Sequence, residues 1–368
     1  MKIALVSTGH GRIHRGFEAF TGSLFENLRR RVPDLDVTLF AGGGEPEERR
    51  VVVPNLHRHD LPARWFGEFR ANLLEKRSFA LAIYAHLRRG GHDLVHYNEL
   101  VMGSALFHLR RRFGGHFKLL YCNGAPSPAV HYHHRCDYAQ LLTGPGFEEA
   151  VSFGMEARRL FLLPYGLDAD RFHPRTALSR EAVRRELGIP PEAVLVLTVA
   201  ALKREHKRID YLLQEMGGLP ERYWLVAAGQ RTGDTPALEE EGRRLLGDRF
   251  RFLTWPAERV ALLYGAADLF VLCSLTEAFG LVTVEAMLSG VPVIAHRGPV
   301  YQWLAEGTGA RLIDMAQEGR LRQAIAEMPQ ALPTREREEA AFRRFSWEML
   351  IREYVAMYES VCSGSPLS

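Results

Sequence analysis

The chain has 368 residues, more than one ordinary compact core holds, so two domains or one large α/β unit are expected. An apolar fraction of 46% and a charged fraction of 25% exclude a disordered or low-complexity chain, and a net charge of +3 is by itself too small to argue for nucleic acid. No apolar run approaches the length of a membrane span, and the opening Met1-Lys2-Ile3-Ala4-Leu5-Val6-Ser7 is too short for a signal-peptide core, so a cytoplasmic protein is expected.

Residues 3–7 read as a first strand, followed by a glycine-rich turn and a helical pattern over 17–31. Further apolar runs come at 37–40, 94–97, 119–122, 139–143 and 160–163. Between 164 and 191 the series is interrupted by Pro164, Gly166, Pro174, Pro190 and Pro191. It resumes with runs at 193–200, 224–228, 250–253, 269–273, 292–295 and 311–313, separated by helical patterns such as 179–187, 237–246 and 258–264. The runs are near-continuous rather than alternating, as strands buried on both faces of a parallel sheet require. Strand–helix alternation repeated twice predicts two doubly wound, Rossmann-like α/β domains facing one another across a cleft, with ligands outside the carboxyl ends of the strands. A last helical stretch over 347–360 has no strand beside it and must pack on something already built.

Arginine is clustered at Arg29-Arg30-Arg31, Arg88-Arg89 and Arg110-Arg111-Arg112. Solvated helix faces explain such clusters, and so does attraction to an anionic membrane surface or acidic acceptor. Cys122, Cys136, Cys273 and Cys362 form no C-x-x-C pair, which suits free thiols in a reducing compartment.

The segment after the run 269–273 carries the most chemistry. The chain turns through Ser274-Leu275-Thr276, presents Glu277, passes Gly280 and enters a helix that ends near Gly290. Gly280 allows close backbone approach to a ligand, and the amides near Gly280 and Leu281 begin a helix whose free N–H groups and dipole favour an anion. An ionised Glu277 accepts hydrogen bonds from sugar hydroxyls, and Glu285, read as lying in the first helical turn, would take two ribose hydroxyls. The plain alternative is that Glu285 only complements the helix dipole.

The run from Tyr264-Gly265-Ala266-Ala267-Asp268 through Glu277-Ala278-Phe279-Gly280 to Glu285-Ala286-Met287-Leu288-Ser289-Gly290-Val291-Pro292-Val293-Ile294-Ala295 resembles the donor-binding signature of family 4 glycosyltransferases, the glycosyl transferases of group 1. Leu163-Pro164-Tyr165-Gly166-Leu167-Asp168 with Phe172-His173-Pro174 resembles the stretch leading into that family's second domain, and Phe345-Ser346-Trp347-Glu348 the start of its last helix. The resemblance implies a GT-B fold. An acceptor-side domain would span 1–168 and be completed by helix 347–361, which crosses back to it. A donor-binding domain would span 175–346. It implies a retaining transferase that moves a hexose-type sugar from a nucleoside diphosphate to a carbohydrate or lipid-linked acceptor, in glycan biosynthesis. By the same resemblance Glu277 binds donor-sugar hydroxyls, Glu285 the ribose, and the backbone of Phe279, Gly280 and Leu281 meets the sugar and diphosphate.

Lys207 matches the family's diphosphate-binding Lys, in the loop Ala201-Leu202-Lys203-Arg204-Glu205-His206-Lys207-Arg208 after the first strand of the second domain. Ala201 stands where an Arg is common, so Lys203 or Arg204 is the expected substitute. On the acceptor or phosphate side the expected residues are Gly11, Arg15 and Gly16, in the first glycine-rich turn, and Asn123 where many members carry a His. That turn fails the dinucleotide fingerprint, since His14 occupies the third glycine position. A nicotinamide-dependent oxidoreductase is therefore the weaker alternative, and a non-catalytic GT-B binding module the other. No cofactor and no metal are expected: His131, His133, His134 and Cys136 are too compressed for a zinc pattern, and Asp168-Ala169-Asp170 sits away from the donor loops. Trp65-Phe66 with Phe69 would suit peripheral association with an anionic membrane.

Overall fold

The computed structural model describes residues 1–13, 16–60, 65, 67–124, 135–172, 177–328 and 335–364. It divides into two compact units, Met1–Leu167 with Trp347–Ser368, and Asp168–Ser346. Each is a parallel α/β sheet.

The first unit runs β1 (Lys2–Ser7), α1 (Gly16–Arg31), β2 (Asp36–Ala41), β3 (Arg50–Val52), α2 (Gly67–Gly90), β4 (Leu94–Tyr97), α3 (Leu100–Phe113), β5 (Lys118–Asn123), β6 (Tyr138–Leu141), α4 (Gly144–Ser152) and β7 (Leu160–Leu162). The strand order is β3-β2-β1-β4-β5-β6-β7, so the direction of winding reverses between β1 and β4. The long helix α2 buries Phe79, Ala80, Ile83 and Leu87, at helical spacing, in a core that includes Val95, Tyr97 and Leu119. Burying each of its large apolar side chains is worth about 1.5–3 kcal/mol. The edge strand β3 is absent from the sequence-based strands. Its three residues are half-exposed, and the apolar run that marks it, Val51-Val52-Val53, is short, follows Glu47-Glu48-Arg49-Arg50 and stops at Pro54.

The second unit runs α5 (Ala169–Phe172), α6 (Ala177–Glu186), β8 (Val194–Val199), α7 (Ile209–Gly217), β9 (Tyr223–Ala228), α8 (Thr235–Leu246), β10 (Phe250–Leu253), α9 (Ala257–Ala266), β11 (Leu269–Leu272), α10 (Leu281–Leu288), β12 (Val293–His296), α11 (Pro299–Ala305), β13 (Arg311–Ile313), α12 (Arg320–Glu327) and α13 (Arg335–Phe345). Its order, β10-β9-β8-β11-β12-β13, is the doubly wound arrangement, with the reversal between β8 and β11. Glu215 of α7 is buried and caps a different helix. Its two carboxylate oxygens accept from the amides of Gly319 and Arg322, each at 2.7 Å, at the start of α12, whose own N-cap is a glycine.

The chain then re-enters the first unit as α14 (Trp347–Ser363). Trp347 Nε1 donates to Ser23 Oγ at 2.7 Å, Tyr354 Oη donates to the Pro164 carbonyl at 2.8 Å, and Tyr358 Oη lies 3.0 Å from His96 Nδ1. A side chain at Gly166 would overlap the Trp347 ring, so that glycine is required for the helix to seat. Cys122, Cys136 and Cys273 are free and buried, and burial pushes the thiols of Cys122 and Cys136 up to about 12. No helix among the described residues is long and apolar enough to cross a membrane.

Candidate functional site

The loops that leave β8 and β11 flank the switch point of the second sheet, where open α/β sheets bind ligands. The first spans residues 200–208 and the second 273–280. Lys207 and Glu277, 70 residues apart in sequence, meet there: the Lys207 ammonium donates to Glu277 Oε1. Their side chains are 19% and 13% exposed, so solvent and ligand both reach the pair.

The loop carrying Lys207 is held in an uncommon conformation. His206 has φ 66° and Arg208 φ 51°, in the left-handed region that costs an L-residue roughly 1–2 kcal/mol. Both are fixed by contacts that offset this cost. His206 Nε2 donates to the Thr276 carbonyl at 2.9 Å and lies 3.8 Å from Glu277 Oε1. Arg208 Nη1 donates to the Met315 carbonyl at 2.7 Å, and its guanidinium sits 4.1 Å over the Tyr211 ring. Two pinned residues thus hold Lys207 between them. Sequence reasoning misses His206, because nothing in a charged run marks which member reaches the opposite loop.

Gly280 has φ 80° and ψ 53° and is the N-cap of α10. A Cβ there would meet only ordinary contacts, the nearest at 3.5 Å, so glycine is needed for conformation rather than space. The amides of Leu281 and Val282 open the helix ahead of its first backbone hydrogen bond, which runs from the Thr283 amide to the Gly280 carbonyl at 2.9 Å. Phe279 turns its side chain into the core, edge-on to Phe345 at 5.9 Å, which leaves only its backbone for a ligand.

Glu285 lies in the second turn of α10, not the first as expected: the helix starts at Leu281, and at about 3.6 residues per turn its fifth residue falls past the first turn. At that depth it does not serve the helix dipole. Its Oε2 accepts from the Tyr264 hydroxyl at 2.6 Å. Burial raises its pKa, while the Tyr264 hydrogen bond and the charge of Arg171 act in the lowering direction.

The expected substitutes for the Arg absent at position 201 do not both gather at the site. Arg204 is turned toward α7 and α8, with Nη2 2.8 Å from Glu241 and Nη1 3.5 Å from Asp210. Lys203 is half-buried in the same loop.

In the first unit, Gly11 (φ 80°) packs against Gly43: a side chain at Gly11 would overlap the Gly43 carbonyl. The glycine-rich turn therefore serves close packing of the loops after β1 and β2. Gly16 is the exposed first residue of α1. Asn123 is buried at the end of β5, with Tyr121 Oη 3.4 Å from its Oδ1. Arg15, Phe66, His131, His133, His134 and His173 lie outside the described residues. The other residue that sequence reasoning misses is Glu99, directly after β4. It takes Lys76 of α2 on one oxygen and both the amide and the hydroxyl of Thr8 on the other. Among the described residues no group of three or more His, Cys, Asp or Glu is placed to hold a metal ion.

Residues 179–328 match the family model described as Glycosyl transferases group 1. A D-inositol 3-phosphate glycosyltransferase of Xylanimonas cellulosilytica is 30% identical over 400 residues, covering 95% of this chain and 93% of that protein. The protein of the same name from Corynebacterium urealyticum is 33% identical over 219 residues, 55% of this chain, and the match spans about half of that relative's length, 51%. Among solved structures, sucrose-phosphate synthase from Thermosynechococcus elongatus superposes with a TM-score of 0.81 at 21% identity, covering 99% of this chain and 100% of that one. That likeness is one of fold, the two-domain GT-B arrangement of parallel α/β sheets.

Proposed function

The chain belongs to the group 1 glycosyl transferases, and on that premise we propose that it is a retaining enzyme that moves a hexose-type sugar from a nucleoside-diphosphate sugar to an acceptor hydroxyl. The observation that carries this reading is the Lys207–Glu277 pair at the switch point of the second sheet, beside the Gly280 helix start.

Each part has a chemical task in that reaction. An ammonium has three donors, and Glu277 uses one, leaving two for diphosphate oxygens. The carboxylate of Glu277, oriented by Lys207, accepts hydrogen bonds from donor-sugar hydroxyls. Glu285 accepts from the ribose, and the amides at Gly280 and Leu281 face the diphosphate. The bond from the anomeric carbon to the diphosphate oxygen breaks through an oxocarbenium-like state. The acceptor oxygen bonds to the same face of that carbon, and its proton passes to the departing diphosphate. Charge grows on the diphosphate in this step. Lys207, with Lys203 in the same loop, and the helix amides stabilise it, so the scheme routes no step through a metal. Excluding water limits donor hydrolysis.

Thermal stabilisation against a panel of sugar nucleotides, followed by diphosphate release, tests this, since a ligand stabilises the state it binds. A nucleoside-diphosphate hexose should raise the melting temperature and be consumed only when an acceptor is present. Stabilisation without turnover on any acceptor would favour a non-catalytic binding module. Tight binding of a nicotinamide cofactor and of no sugar nucleotide would refute the reading. Peripheral membrane association belongs to the same proposal: Trp65 and Phe69 are 79% and 76% exposed in the first unit. Absence of co-sedimentation with anionic vesicles would remove that part.

A further inference from the structure

The first unit has a switch point of its own, between β1 and β4, and a shielded ion pair lies there. The chain leaves β1 at Thr8 and β4 at Asn98 and Glu99. Glu99 occupies the N-cap of α3 but makes no side-chain hydrogen bond to that helix. Its carboxylate reaches across to the neighbouring strand instead. Oε2 accepts from the Thr8 amide at 3.0 Å and the Thr8 hydroxyl at 2.5 Å, and Oε1 takes the Lys76 ammonium. The Glu99 side chain is 9% exposed and that of Lys76 11%.

A pair so shielded is poorly explained by stability. Desolvation offsets most of the attraction between two buried charges, and an apolar pair of similar volume does as well or better. What the arrangement achieves is to fix a carboxylate at the place in the sheet where ligands bind. A carboxylate only accepts, and its two oxygens offer about four sites, of which the described residues use three. The remaining site fits a hydroxyl donor. It does not fit a phosphate, because Glu99 already neutralises the Lys76 charge. The described cations of the adjoining segments are engaged elsewhere: Arg12 on Asn55, Arg50 on Glu47 and the Gly43 carbonyl, Arg58 on Glu75.

Resting on the transferase reading above, we propose that Glu99 binds the acceptor in the first unit, and that the acceptor is an uncharged polyhydroxyl compound, a sugar or polyol, rather than a phosphate ester. Lys76 and Thr8 are positioning residues that hold the carboxylate.

The test uses the full chain and whichever sugar nucleotide stabilises it. Transfer is measured to glucose, mannose and myo-inositol and to their monophosphates, in the wild type, Glu99→Gln and the double variant Lys76→Met with Glu99→Gln. The double variant leaves no unpaired charge and guards against a folding defect. Transfer to a neutral acceptor is expected, with the acceptor KM raised about tenfold or more in both variants and the donor KM unchanged. An unchanged acceptor KM in both variants, a preference for the phosphate esters, or transfer to none of the neutral acceptors would overturn the proposal. If no sugar nucleotide stabilises the wild type, the donor reading falls first and this one with it, which is a distinguishable result.

Discussion

Substituting Lys207 separates the chemistry of the donor loop from its contribution to folding. In Lys207→Met the thioether fills much of the same space but leaves Glu277 Oε1 without its ammonium. Breaking a fully buried pair costs about 3–5 kcal/mol, but these side chains are 19% and 13% exposed and water replaces part of the lost contact. The cost in stability should therefore be nearer ~1 kcal/mol, a shift of only a few degrees in a chain of this size. Rate should respond far more. A preorganised group facing charge that develops in the transition state is worth about 3 kcal/mol, or roughly a hundredfold. The left-handed residues on either side, His206 and Arg208, keep the loop in place without the ammonium, so the loss should appear in kcat more than in donor affinity. Diphosphate release at saturating donor, alongside a melting curve of the same preparation, gives both quantities. A variant that turns over at near-normal rate, or one whose loss of rate merely follows its loss of folded protein, would refute the assignment.

Other perturbations test the neighbouring elements. Glu285 binds ribose as an anion in this scheme, so donor affinity should fall on acidification in a window above the ordinary carboxylate value of 4.5; Tyr264→Phe, which removes a hydrogen bond that holds the pKa down, should move the window upward. A pH profile of donor Kd identical in the two proteins would rule this out. The same raised pKa makes the contribution of Glu285 to stability complete below 4.5 and lost as pH rises through the folded value, so Glu285→Gln should stabilise the unliganded protein near neutrality, as a urea titration would register. His96 has the opposite sign. Burial lowers its pKa from 6.5 to about 3, so the unfolded chain takes up the proton first and stability falls from pH 6.5 toward 3, by up to about 1.4 kcal/mol per pH unit. His96→Gln should flatten that slope, and parallel stability profiles for the two proteins would contradict it. Glu215→Ala removes both hydrogen bonds at the start of α12 and should cost about 2 kcal/mol in the unfolding of the second unit; an unchanged denaturation midpoint would show that the cap is dispensable.

How much of the site is legible in the sequence follows from how far apart its parts lie. The loop from Thr276 to the start of α10 is contiguous, and a single run of residues carries its glycine, its carboxylates and its helix start, so the residue pattern alone reveals it. The two sheets are legible for a similar reason: strands covered on both faces are short apolar runs, while the three-residue edge strand β3, half-exposed and ended by Pro54, escapes. Glu285 is expected in the first turn of α10 and lies in the second, since counting from Leu281 at about 3.6 residues per turn makes it the fifth residue. Charges in runs are harder to read. The resemblance singles out Lys207, but Lys203, Arg204 and His206 look interchangeable along the chain; in the fold Glu241 and Asp210 draw Arg204 away, while Thr276 draws His206 in. Long-range pairs give no local signal whatever. Glu99 has the position of a helix cap, but Thr8, 91 residues earlier, and Lys76 on another helix claim its carboxylate. In a doubly wound sheet the strands on either side of the switch point are not consecutive in the chain, so the residues that meet there come from separate loops. A binding site at such a place is therefore legible from sequence only as far as one loop carries it, and the acceptor site proposed above, divided among the ends of β1 and β4 and helix α2, is carried by none.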